Sequence, residues 1–154
     1  MHTNIAQLIS EAVVALFNAN GKLLEWGDAF TSPYGLTSAR WQILGAIARA
    51  GQAQTAPQIG EQMGISRQGV QKQLNLLTAD GLVEKHPNPA HQRSPLYQLS
   101  MSGQARFSQI NQAWEAHAST LGDRFSTDAL AGMLHTLRQL AAAHELDKGV
   151  GDEN

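Results

Sequence analysis

The segment from Leu36 to Gly103 constrains the fold more than any other part of this chain. Its apolar and capping residues predict three helices, then a strand, a proline-rich tip and a second strand. Within it, Gly64 ends one short helix and Ser66 begins the next, with Ile65 alone between them. A helix, a tight glycine turn and a serine-capped helix are typical of a helix-turn-helix. The sequence therefore predicts a mainly α fold with one small β-hairpin.

Capping residues set the bounds of these three helices. Thr37 or Ser38 caps the first, which ends near Gly51, and Thr55 caps the second. The third is predicted to run from Arg67 to about Ala79. Serine and threonine are favoured before a helix because their side-chain oxygens accept hydrogen bonds from the free amides of its first turn.

The third helix has two unlike faces. At about 100° per residue, its apolar residues fall on one side and its amide and cationic residues on the other. The apolar residues are Val70, Leu74 and Leu77, and the polar ones are Gln68, Gln71, Lys72 and Asn75. Most polar helix faces are simply solvated. The hairpin that follows this helix favours the interpretation that its polar face contacts DNA.

A hairpin with a basic tip follows the third helix at once. Leu82–His86 and Leu96–Leu99 are predicted as strands, and the prolines between them stiffen the connection. Arg93 at the tip suits a narrow minor groove, where the negative potential is strongest. Lys85 could contact phosphate or merely aid solubility. A polar helix face beside such a hairpin indicates a winged helix-turn-helix that enters DNA grooves.

The candidate DNA-binding residues differ in their chemistry. Gln68 and Gln71 carry paired amide donors and acceptors, which match the N6/N7 edge of adenine. Lys72 can reach guanine O6/N7 or a phosphate. Arg67 in the first turn is suited to phosphate, together with the amides capped by Ser66. The predicted DNA-binding set is Ser66, Arg67, Gln68, Gln71, Lys72, Asn75, Lys85, His91 and Arg93.

The chain before this segment allows two interpretations. An apolar repeat at helical spacing predicts a helix from about Thr3 to Asn20, with Asn20-Gly21 as its stop. Leu23 to Phe30 could continue that helix or form a second short one, and both remain open. Ser32 to Gly35 predicts a turn.

Two further helices are predicted after the hairpin. Ser100 or Ser102 begins the first, whose apolar residues repeat as in a helix–helix seam until Gly122 breaks it. Ser126 or Thr127 caps the second.

These elements predict one lobe with helical extensions at both ends. The predicted division is an N-terminal dimerisation helix region at 1–30, a winged helix-turn-helix lobe at 36–100, C-terminal dimerisation helices at 101–146 and a tail at 147–154. We expect the acidic, glycine-containing tail to be disordered. The terminal helices have apolar faces larger than a winged-helix core needs. We therefore expect a homodimer in which two copies interleave these helices.

Composition and spacing exclude several other functions. The chain has 154 residues, no cysteine and a formal net charge of −2, so disulfides and thiolate metal sites are excluded and a general polyanion binder is disfavoured. His135 and His144 lie nine positions apart, and no metal-site, nucleophile-elbow or phosphate-loop spacing occurs. No signal-peptide pattern or membrane-length apolar run is present. We expect a cytoplasmic protein that is not an enzyme and needs no cofactor or metal.

From Leu36 to Phe107 the sequence resembles the MarR family of bacterial winged-helix transcription regulators. The matching residues are Leu36-Thr37 with Trp41, Ile59-Gly60, Met63-Gly64-Ile65-Ser66, Leu74, Leu77, Asp80-Gly81-Leu82-Val83, the wing string Asn88 to Arg93, Leu99-Ser100 and Ser102-Gly103. The family usually has acidic residues where this chain has Asn88 and His91, and often a basic residue where it has Gln92. A carboxylate that would pair with Arg93 is therefore missing from position 91.

The resemblance implies a homodimeric regulator of double-stranded DNA, more often a repressor, that binds a pseudo-palindromic operator. Family members often bind small aromatic or anionic ligands in a cleft and then lose DNA affinity. By resemblance, Trp26, Phe30 and Trp41 border that cleft, although an ordinary core role is the commoner one for any such residue. The alternative function is a winged-helix protein–protein adaptor without DNA binding, which the negative net charge favours.

Overall fold

Residues 4–146, the part of the chain that the computed structural model describes, form six α-helices and one two-stranded antiparallel sheet. The helices are α1 (Ile5–Thr31), α2 (Ser38–Ala50), α3 (Ala56–Met63), α4 (Arg67–Ala79), α5 (Met101–Leu121) and α6 (Thr127–Ala142), and the strands are β1 (Val83–His86) and β2 (Leu96–Leu99). Short 3-10 turns follow α1 and α5. The mainly α fold with a small hairpin is confirmed.

Side-chain caps begin α2, α3, α4 and α6 at residues that the sequence predicted. Thr37 accepts a hydrogen bond from the amide of Arg40, and Ser126 accepts one from that of Ala129. Thr55 and Gln58 form a reciprocal capping box at the start of α3. Gly35, Gly51, Gly64 and Gly81 have positive φ, which a side chain would disfavour.

The predicted stop at Asn20-Gly21 is wrong. The first helix is continuous from Ile5 to Thr31, with Asn4 as its cap, so Leu23–Phe30 continues it. Gly21 is absent from the positive-φ glycines, and it only weakens a helix interior, by about 1 kcal/mol relative to alanine. Residue 3, where the helix was expected to begin, lies outside the described part of the chain.

Contacts within the chain divide it into two units, which meet inside α5 after Gln112. In the first unit, α2, α3 and α4 converge with the sheet on one apolar core. Its buried members include Ile43, Leu44, Ile47, Ile59, Val70, Leu74, Leu77, Val83, Tyr97 and Ile110. The second unit contains the end of α5 and α6. The predicted division into 1–30, 36–100 and 101–146 stays a prediction, and the tail at 147–154 lies outside the described residues.

The sheet has a third, very short partner that the sequence did not indicate. Val83 pairs with Leu99 and His86 with Leu96 in the hairpin. On the other edge of β2, the backbones of Gln54 and Tyr97 exchange hydrogen bonds of 2.9 and 2.8 Å. The segment before α3 is thereby attached to the wing.

The end of the helix-turn-helix is locked to the start of α5. Ser100 Oγ donates to the carbonyl of Gly81 at 2.6 Å and accepts from the amide of Gly103 at 3.0 Å. Gly103 is buried, and a Cβ there would overlap the carbonyl oxygen of Leu82. The closing serine and glycine of the winged lobe are therefore packing requirements.

A second close junction joins α1 to α2. Asp28 Oδ1 accepts from the amide of Ser38 at 2.8 Å, and the buried Thr31 hydroxyl lies 3.1 Å from the carbonyl oxygen of Leu36, just before α2. A Cβ on Gly27 would lie 2.6 Å from Ser38 Oγ. The long first helix is thus held rigidly at the start of α2. No helix in the described residues is long and apolar enough to cross a membrane.

Replacing Gly103 with alanine should destabilise the protein strongly, because backbone atoms of Leu82 occupy the space that the methyl group needs. We expect a loss of about 3 kcal/mol or more in the free energy of unfolding, at the upper end of overpacking costs. Gly21→Ala is the matched control, since nothing lies within 4 Å of its added Cβ. It should stabilise by up to about 1 kcal/mol. Urea unfolding at one fixed protein concentration measures both, and equal midpoints for Gly103→Ala and wild type would contradict the packing.

Candidate nucleic-acid interface

The candidate interface is built on α4, which is held by its apolar side. Val70, Leu74 and Leu77 are fully buried, so the helix cannot rotate about its axis without exposing them. Ser66 caps the helix by accepting from the amide of Gly69 at 3.1 Å. At the turn before it, a Cβ on Gly60 would lie 2.9 Å from the carbonyl oxygen of Ile65. Glycine at position 60 therefore lets α3 approach the turn closely.

The opposite side of α4 carries most of the predicted DNA-binding residues, and they are exposed. These exposed side chains are Ser66, Arg67, Gln68, Lys72 and Asn75. Gln68, Gln71, Lys72 and Asn75 also line a shallow depression on this surface, together with Leu76. Such a depression, rimmed by amides and one ammonium group, offers donors and acceptors to a base edge or a phosphate.

Gln71 differs from its neighbours because its amide is already bonded. It is half-buried, and Nε2 donates to Asn75 Oδ1 at 2.9 Å and to the Tyr97 hydroxyl at 3.0 Å. An amide nitrogen has two hydrogens, so both are used within the protein. The paired donor and acceptor that the sequence predicted for adenine is thus reduced to a single group at this position, which is Oε1 in this arrangement of the amide. The side-chain amide of Gln68 makes no such hydrogen bond among the described residues.

The tip of the hairpin is organised by Asn88. Its Oδ1 accepts from the amide of Ala90 at 3.1 Å, and its Nδ2 donates to the carbonyl of Ser94 at 3.0 Å. Backbone bonds from His91 to Asn88 and from Ser94 to His91 complete two successive turns. An aspartate could accept the first bond but could not donate the second. The family usually has an acid at this position. Here the Asn88 amide instead bonds to Ala90 and Ser94 and so closes the hairpin tip.

His91, Gln92 and Arg93 lie exposed on this tip. Among the described residues, the Arg93 side chain makes no hydrogen bond or ion pair. Only the backbone turns of the tip therefore set the position of this residue. On β1, Lys85 is exposed and pairs in register with Tyr97, which contacts Gln71 of α4. Lys85 thus lies on the face of the hairpin nearer the helix, because successive strand residues alternate faces.

The aromatic residues proposed for ligand binding form a cluster at the α1–α2 junction. Trp26 stacks on Phe30 with ring centroids 4.7 Å apart, and Phe30 meets Trp41 at 5.4 Å. Tyr34 adds a fourth ring, 6.5 Å from Phe30. All four rings are half-buried, and Phe30, Tyr34 and Trp41 pack against the core. Phe30, Tyr34 and Trp41 therefore contribute to the core, while a role of the cluster in ligand binding stays a prediction.

Three residues important for this surface were missed by sequence reasoning. The sequence predicts only a strand position for Tyr97, a missing acid at Asn88 and no role for Gln54. An asparagine followed by proline in a loop does signal a side-chain-bonded turn. The contacts of Tyr97 with Gln54 and Gln71 join distant parts of the sequence and leave no local pattern. As for metals, no cluster of three potential ligands occurs within residues 4–146.

A glycine turn, an exposed polar helix and a basic hairpin beside it define a winged helix-turn-helix protein. Residues 34–94 match the model of the MarR family. The chain is also 31% identical over 148 residues to uncharacterised proteins of Mycobacterium tuberculosis and Mycobacterium bovis, covering 96% of this chain and 99% of each relative. The chain belongs to the MarR family of DNA-binding transcription regulators, as its sequence predicted, and this family is not enzymatic.

Solved structures show the same fold. A MarR family transcription regulator superposes with a TM-score of 0.73 at 25% identity, over 89% of this chain and 90% of that one. A mutant MarR from E. coli complexed with operator DNA gives a TM-score of 0.73 at 22% identity, over 90% of this chain and 99% of that one. At that lower identity, the second similarity supports the fold alone.

Replacing Asn88 with alanine should loosen the hairpin tip, because it removes both side-chain bonds that close it. We expect the amide of Ala90 to exchange with solvent roughly five- to tenfold faster, in line with a lost bond of about 1 kcal/mol. Gln92→Ala, at an exposed neighbouring position, should leave that rate unchanged. Hydrogen exchange followed by NMR measures both variants. An unchanged rate in Asn88→Ala would mean that the backbone alone sets the tip.

Proposed function

We propose that this regulator binds a pseudo-palindromic operator as a homodimer and represses transcription from it. The observation that carries the proposal is the position of the polar side of α4, which is exposed beside a hairpin whose tip presents Arg93. On this proposal, α4 enters a major groove and Arg93 a neighbouring minor groove or phosphate row. The residues in contact are those predicted from the sequence, from Ser66 to Arg93.

Apolar exposure supports the homodimer. Along α1 a row of large apolar side chains is open to solvent in the single chain, a pattern that marks an interaction surface on a water-soluble helix. They are Ile5, Leu8, Ile9, Val14, Leu16, Phe17, Leu23 and Leu24. In the second unit, Leu130, Met133 and Leu134 of α6 are likewise exposed. A second copy of the chain covers such surfaces symmetrically.

Two α4 helices related by a two-fold axis read two half-sites. Their centres lie about 34–36 Å apart when both helices enter successive major grooves on one side of the duplex. An operator for this protein is therefore an inverted repeat with that spacing. Because the chain has a net charge of −2, specific contacts must supply a larger share of the affinity than general attraction to phosphate.

We also propose that a small aromatic or anionic ligand releases the operator. The cluster of Trp26, Phe30 and Trp41 supports this site, since stacked, half-buried rings can accept another ring. The cluster adjoins the Asp28–Ser38 junction, through which α1 is attached to the DNA-binding lobe. A ligand that prefers a different arrangement of this junction would weaken DNA binding by no more than that preference.

Base and backbone contacts can be separated by two substitutions. Gln68→Ala should cost roughly 1–3 kcal/mol of operator affinity and relax the preference at particular bases. Arg93→Ala should weaken binding to all sequences and make the dependence on salt shallower by about one unit. Arg93→Lys keeps the charge and should restore the salt slope without the full affinity, because lysine lacks the planar fork of arginine. Gel-shift titration at several salt concentrations measures these effects, and two unaffected alanine variants would refute the proposed contacts.

The homodimer depends on the exposed face of α1. Phe17→Asp places a charge at a side chain that is 70% exposed in the single chain, so the fold of one subunit should survive. We expect the variant to be monomeric at micromolar concentration and to lose most operator affinity. Lys22→Asp, a charge change at an exposed position that is already polar, is the control. Light scattering measures the mass, and a monomeric wild-type protein would defeat the homodimer.

A protein–protein adaptor is the second candidate. Its support is the negative net charge and the absence, within residues 4–146, of a carboxylate bonded to Arg93. Salt-dependent binding of the full chain to duplex DNA separates the two functions. Such binding favours the regulator, whereas no binding down to low salt favours the adaptor.

A further inference from the structure

A buried tyrosine is connected by hydrogen bonds to the proposed base-reading surface. Tyr97 has 1% of its surface exposed, so it cannot itself touch a duplex. Its hydroxyl accepts from Gln71 Nε2 at 3.0 Å, and the same nitrogen donates to Asn75 Oδ1 at 2.9 Å. The three side chains form one continuous chain of hydrogen bonds from the core to the surface of α4. We name it the Tyr97–Gln71–Asn75 chain.

The donors and acceptors of this chain determine what faces outwards. Both hydrogens of Gln71 Nε2 are used, so Gln71 presents its Oε1 as an acceptor. Asn75 uses Oδ1 to accept, and in the described part of the protein its Nδ2 makes no hydrogen bond, so it presents a donor. The two amides therefore offer opposite groups at neighbouring places on the helix.

Rotating both amides by half a turn about their last bond gives an equally bonded chain. Gln71 Oε1 then accepts from Asn75 Nδ2 and from the hydroxyl of Tyr97, because a phenol both donates and accepts. Rotating only one amide sets two N–H groups or two carbonyls against each other and leaves a partly buried group without a partner. The two side chains therefore switch together or not at all.

We propose that the Gln71–Asn75 bond makes the bases contacted by these two residues interdependent, and that Tyr97 is a positioning residue whose hydroxyl holds Gln71 against Asn75. The inference rests on the proposed binding of α4 in a major groove. In one arrangement Gln71 accepts from adenine N6 or cytosine N4, while Asn75 donates to guanine O6, thymine O4 or a purine N7. In the other arrangement these preferences are exchanged. Operators that satisfy one arrangement at both places bind tightly, and mixed operators do not.

Titration of four duplexes tests the interdependence. Selection from a random duplex pool with the full chain identifies the two base positions, and the duplexes then carry the selected bases, each single change and the double change. In the wild-type protein the effect of the double change should differ from the product of the single effects by roughly threefold or more, as for directly coupled groups.

Tyr97→Phe keeps the buried ring and removes the hydroxyl. Affinity for the selected duplex should fall by about two- to tenfold, the range for one lost hydrogen bond. The interdependence of the two base effects should weaken, because Gln71 is then no longer held against Asn75. Affinity for random duplex and the salt slope should not change, since no phosphate contact is involved. Tyr34→Phe, at the chain's other tyrosine, should leave every one of these quantities unchanged.

Two further readouts do not depend on a folded Tyr97→Phe variant. In the free wild-type protein, the side-chain amide hydrogens of Gln71 should exchange with solvent at least severalfold more slowly than those of the exposed Gln68. Asn75→Ala, at an exposed position, should broaden the preference at the base that Gln71 contacts, which an isolated contact would not do.

Failure of the positioning role of Tyr97 can be distinguished from failure of the proposed DNA binding. A wild-type protein that selects an operator, but whose two base effects multiply independently, overturns the positioning role and leaves the regulator intact. Equal exchange rates for the Gln68 and Gln71 amides overturn it as well. A protein that prefers no duplex over another overturns both proposals. Interdependence that is weakened in Tyr97→Phe and unchanged in Tyr34→Phe supports the inference.

Discussion

Burial of one side of α4 determines what the rest of this protein can do. Val70, Leu74 and Leu77 lie four and then three positions apart, on one side of the helix, and all are fully buried. Each contributes about 1.5–3 kcal/mol relative to an exposed side chain, so a rotated helix would be too costly to populate. The polar side is exposed as a direct consequence. Burial of the apolar side is therefore enough to turn the amides and cations of α4 towards solvent.

The hairpin is attached to that helix through β2. Tyr97 pairs with Gln54 through the backbone, pairs in register with Lys85 and bonds to Gln71 through its hydroxyl. The hairpin and the helix-turn-helix are therefore joined in one lobe. Ser100 and Gly103 fasten the same lobe to α5, and Asp28 and Ser38 fasten it to α1.

Local signals predicted the helices of the lobe well. Thr55, Ser66, Gly51 and Gly64 begin or end helices as expected, because caps and positive-φ glycines depend on neighbouring residues alone. Gly21 was misleading for the opposite reason. A glycine inside a long apolar helix looks the same in the sequence as a glycine that ends a helix, and only packing elsewhere in the molecule decides between the two. The exposed side of α4 was predictable from periodicity. The bond from Gln71 to Tyr97 was not, since 26 positions separate the two residues.

A footprint on the protein itself tests whether α4 and the hairpin tip contact DNA. Hydrogen–deuterium exchange of the full chain, with and without a duplex selected by that chain, reports which amides the DNA protects. We expect protection from Ser66 through Asn75 and from Asn88 through Ser94, with no change in α3. Binding that protects other segments, and leaves α4 and the hairpin tip as they are in the free protein, would contradict this expectation.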